Sequence, residues 1–65
     1  MNDYEKYLQT IRNMVANYKE VLPQMQNAAD KQPDGSPQKW IFQHRHDALA
    51  AYARALQDII DHFDD

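Results

Sequence analysis

The stretch Lys31-Gln32-Pro33-Asp34-Gly35-Ser36-Pro37 lies almost at the midpoint of this 65-residue chain and holds its only glycine and two of its three prolines. Proline removes a backbone donor and fixes φ, glycine supplies conformations closed to other residues, and Asp and Ser bond back to the backbone, so the cluster reads as a turn. Its last two residues also open a helix. Ser is a favoured N-cap, and Pro suits the first helical position, where no intrahelical donor is needed.

Upstream of the turn, apolar residues recur at Tyr4, Leu8, Ile11, Val15, Tyr18, Leu22, Met25 and Ala29, in unbroken steps of four and three. That is the heptad seam of one helical face. A second column, Tyr7, Met14, Val21 and Ala28, widens it into a stripe. Pro23 falls inside the pattern without disturbing its phase. A proline ring inside a helix costs about 3 kcal/mol and clashes with the carbonyl four residues back. The reading is one helix kinked near Lys19 to Pro23, and two separate helices are the alternative.

Downstream, the seam is Phe42, Leu49, Tyr52, Leu56, Ile59 and Phe63, widened by Ile41, Ala48, Ala55 and Ile60 and interrupted by Arg45. The run from Ala48 to Leu56 is rich in strong helix formers with small side chains. The sequence therefore predicts a single all-α domain over residues 1–65: a helix over about 3–31, a loop over 31–36 and a helix over about 37–63. A short loop between two long helices gives an antiparallel hairpin. Folding about residue 34 sets Tyr4 near Phe63, Leu8 near Ile59 and Ile60, Val15 near Ala53, and Met25 near Ile41 and Phe42.

Two helices touching along one line cover only about two residues per heptad on each, and both stripes here are wider. Chains this short gain only about 3–5 kcal/mol from one core. Disulfides are excluded, because the chain has no cysteine. The expectation is that two hairpins pair as a homodimeric four-helix bundle. The interface would draw on Tyr7, Ile11, Met14, Tyr18, Val21, Trp40, Ile41, Tyr52 and Ile60. For Trp40, the only tryptophan, core filling near the loop is favoured over an exposed anchor. The alternatives to a dimer are a monomer broken at Pro23 into three helical pieces, and a stripe that awaits a different protein.

Specific chemistry finds little footing. Asp30, Gln32, Asp34, Gly35 and Ser36 follow the first positions of a calcium-binding loop, but the position of the bidentate glutamate is Ile41, so a plain turn is the better reading. His44 and His46 point about 200° apart on a helix and cannot share a metal. Asp58 and His62 are one helical turn apart, yet two ligands are too few. No metal and no cofactor is expected. With no cysteine, a single serine used as a cap, and no glycine-rich loop, an enzyme is not expected either.

Lys and Arg number 7 against 10 Asp and Glu, and mean hydropathy is −0.89. That composition gives no membrane span, and the amino terminus reads as no secretory signal, so a cytoplasmic protein is expected. The function expected is a small protein–protein interaction module that pairs with itself and possesses no membrane partner. The alternative is a dimeric hairpin that binds nucleic acid. In size and outline the chain resembles the small plasmid-copy-number hairpin proteins, which form four-helix bundles and hold paired RNA loops. That resemblance rests on architecture and carries over no residue. The acidic balance and dispersed basic residues weigh against it, because phosphate binding needs clustered Lys and Arg.

Overall fold

A computed structural model describes residues 3–64, with side chains to His62. Two helices of 28 residues each, α1 (Asp3–Asp30) and α2 (Pro37–Asp64), pack against each other as a rod of 49 × 16 × 15 Å. Its radius of gyration is 15.1 Å, against about 11 Å for a compact domain of this length. The shape is one layer of two helices with nothing behind it.

The turn forms as its residues dictate. Ser36 donates its amide to the carbonyl of Pro33 at 3.1 Å, which closes a four-residue turn. Gly35 occupies its third position at φ 77°, a value that L side chains rarely adopt. The Ser36 hydroxyl then accepts the Lys39 amide at 3.1 Å, while its carbonyl accepts that of Trp40 at 3.3 Å. Lys39 Nζ reaches back to Asp34 at 3.1 Å. Cap and turn share residues, so the start of α2 is fixed by the loop itself.

Helix α1 runs unbroken through Pro23, which is exposed on its outer side. The three-piece monomer is therefore not the fold. The α1 seam packs as its spacing dictates: Val15 and Ala29 are buried, and Leu8, Ile11, Tyr18, Leu22 and Met25 are half-buried. Tyr4, at the open end, keeps 47% of its surface.

Helix α2 is rotated from the expected seam. Its buried residues are Ala53, Leu56 and Ile60, while Tyr52 and Ile59 remain 48% and 38% exposed. Ile60, expected as interface, joins Val15 and Leu56 in the core, with Leu8, Ile11, Met14 and Tyr18 packed on that cluster. The reason is steric and polar together. Ala50 and Ala53 let the backbones approach, and half-buried Gln43, His46 and Gln57 extend their line along the contact. The pairing of Tyr4 with Phe63 lies outside the described side chains.

Candidate protein-binding face

The rod has two unlike flanks. On one, Gln26 and Gln43 join the helices through both amides. Gln26 Nε2 donates to Gln43 Oε1 at 2.7 Å and to Asp30 at 2.9 Å. Gln43 Nε2 donates to Gln26 Oε1 and to Asp47, each at 3.0 Å. His46 Nδ1 lies 2.9 Å from the same Asp47 oxygen. These contacts, that with His46 foremost and that with Gln43 next, hold the Asp47 carboxyl below its ordinary value of 3.8. Farther along, Gln57 donates to Asp61 at 2.9 Å. Among the described residues, no buried side-chain polar atom lacks a partner.

The other flank is apolar along most of its length, with Arg45 at the loop end. At the open end, Tyr4, Tyr7, Leu8, Ile11 and Ile59 line one shallow hollow. In the middle, the rings of Tyr18 and Tyr52 meet with centroids 5.8 Å apart. At the loop end, Met25, Ala28, Phe42 and Arg45 line a notch. Val21 and Ile41 are each 39% exposed, and Tyr7 is 70% exposed. The helical phase accounts for this: α1 and α2 run in opposite directions, so the columns beside their seams come out on the same side.

Of the residues expected at an interface, Tyr7, Ile11, Met14, Tyr18 and Val21 from α1 and Ile41 and Tyr52 from α2 share this face. Ile60 is taken by the core, as above. Trp40 is in neither place. It is 67% exposed, where core filling was expected, and its ring stacks on His44 at 5.1 Å and 4°. One residue past Lys39, it is turned about 100° around the helix onto the outer surface, away from both α1 and the apolar face. Tyr4, Ile59 and the notch residues Ala28 and Arg45 belong to the face as well. Their heptad columns announce them, once α2 is turned to its observed phase.

The loop offers little to a cation. Asp34 is engaged by Lys39, and the Ser36 hydroxyl by the Lys39 amide. Among the described residues, no group of three or more His, Cys, Asp or Glu could hold a metal ion. Among the described residues, no helix is long and apolar enough to cross a membrane.

No family model, curated protein or solved structure matches this chain.

Proposed function

We propose that this chain is a non-enzymatic protein-interaction module of the cytoplasm whose first partner is itself, two hairpins joining by their apolar faces into a four-helix bundle. The continuous apolar flank from Tyr4 to Ile41 carries this reading, since monomers rarely leave so long a strip in water. Surface area agrees with it. A compact chain of 7.7 kDa exposes about 4,300 Å², and this one exposes 5000 Å². The excess of about 700 Å² per copy is close to what each side of a standard interface buries. In the bundle, Pro23 bends α1, because its missing amide leaves the Lys19 carbonyl to water on the exposed side. Trp40, on the far surface, then remains the largest aromatic group available to another protein.

Light scattering during gel filtration tests the reading. The expected mass is about twice 7.7 kDa at low and high concentration alike. Tyr52→Glu, which places a charge in the middle of the face, should reduce it to that of one chain. A wild-type chain of single mass would overturn the dimer. Salt-sensitive binding of RNA or DNA by the wild-type protein would favour the nucleic-acid reading instead.

A further inference from the structure

The geometry points to one arrangement of the two copies: loops at opposite ends of the bundle, related by a two-fold axis that crosses the rod at its middle. This inference rests on the dimer proposed above and adds its orientation.

The face is complementary to itself when reversed. A half-turn about the point between Asn17 and Tyr18 sets Tyr7, the most exposed large apolar residue, opposite the partner's Ala28. Met14 then meets the partner's Val21. Large meets small, and the Tyr7 ring enters the notch between Met25, Phe42 and Arg45, where a guanidinium beside an aromatic face is favourable. On α2 the same axis falls level with residues 51–53, so the two copies' Tyr52 side chains come together near the axis and Arg45 lies near the partner's Ile59.

Gln26 pairs with Gln43 and Tyr18 with Tyr52 across the hairpin. The α1 centre is therefore level with residues 51–53.

Charge separates this arrangement from its rival. At the open end, Asp3, Glu5, Asp58 and Asp61 stand against Lys6 and Arg12. At the loop end, Lys31, Lys39 and Arg45 balance Asp30, Asp34 and Asp47. Opposed loops bring the acidic end of each copy beside the electrically balanced end of the other. Loops at the same end would crowd the acidic ends together and turn Arg45 toward the partner's Arg45 on the midline, a like-charge contact that costs specificity and affinity.

A single spin label decides it, because the chain has no native cysteine. Asp34→Cys carries the label at the loop tip, where the side chain is 97% exposed. Opposed loops give a label-to-label distance of about 45 Å, close to the 49 Å length of the rod. Loops at one end give under about 20 Å, roughly two helix diameters, and would overturn the orientation while leaving the dimer standing. Absence of dipolar coupling together with a single-chain mass would overturn the dimer itself. Gln38→Cys, the second residue of α2, repeats the measurement without touching the Asp34–Lys39 ion pair and is expected at about 42 Å.

Discussion

Gln26 and Gln43 hold each other across the hairpin by two reciprocal hydrogen bonds of 2.7 and 3.0 Å, and each amide gives its remaining proton to a carboxylate on its own helix. Every donor of both amides is used. Removing one partner leaves the other half-buried and unsatisfied, so Gln43→Ala should cost about 1 kcal/mol, seen as a lower urea midpoint. Gln26→Leu with Gln43→Leu should recover that loss, because no polar group is then stranded. It should also yield species heavier than two chains, since the polar flank becomes a second apolar one. A double variant that stays at the wild-type mass would count against the flank's role in limiting assembly.

The core is thin, so its few members carry much of the stability. Among the described residues no large side chain is completely buried, and Leu56, at 8% exposure, is one of three residues larger than alanine below a tenth. Leu56→Ala should cost about 2–3 kcal/mol, a large share of what a chain this size possesses. Thermal unfolding followed by helical circular dichroism should fall by well over ten degrees. Trp40→Ala, which removes a larger side chain from an exposed site, should move the midpoint by less than a few degrees.

The Ser36 cap gives a third expectation. Ser36→Ala removes the acceptor for the Lys39 amide and should destabilise by about 1 kcal/mol, whereas Ser36→Asp should retain most of the cap. The ratio of the two urea midpoints measures the cap apart from the helix it starts.

Asp47 sets a pH dependence. Its folded-state carboxyl is held below the ordinary 3.8 by His46 and Gln43. A depressed acid stabilises the fold above its unfolded value and loses that contribution as pH falls through the folded one. Wild type should therefore lose stability below about pH 4 more steeply than Asp47→Asn, with the two converging in acid. Because the group is exposed, the effect should be small and should shrink with added salt.

Much of this architecture was legible in the residues. The turn cluster, the Ser36-Pro37 start and the α1 seam are local signals, and local physics decides them. The phase of α2 was not, and the cause is specific. The apolar positions of its seam and widening column spread over about 140° at 100° per residue, so hydrophobicity says only that this sector avoids water. Which part meets α1 is decided by the small Ala50 and Ala53 and by the Gln26–Gln43 pair, and a ranking by apolar size passes over them. Trp40 misled for the same reason: its size argued for burial, while its place in the helical phase put it outside.

The turn has a further consequence, for what the chain is unable to become. A helical hairpin can open at its loop and exchange arms with a neighbour if the loop joins the helices into one long rod. Here Pro33, Gly35 and Pro37 would all lie inside that rod, at a penalty of about 7 kcal/mol per chain. The left-handed Gly35 and the Ser36 cap would be lost as well. The chain is thereby confined to folding on itself before it meets another copy, and nearest-in-sequence pairing of this kind is the quick route to a native state.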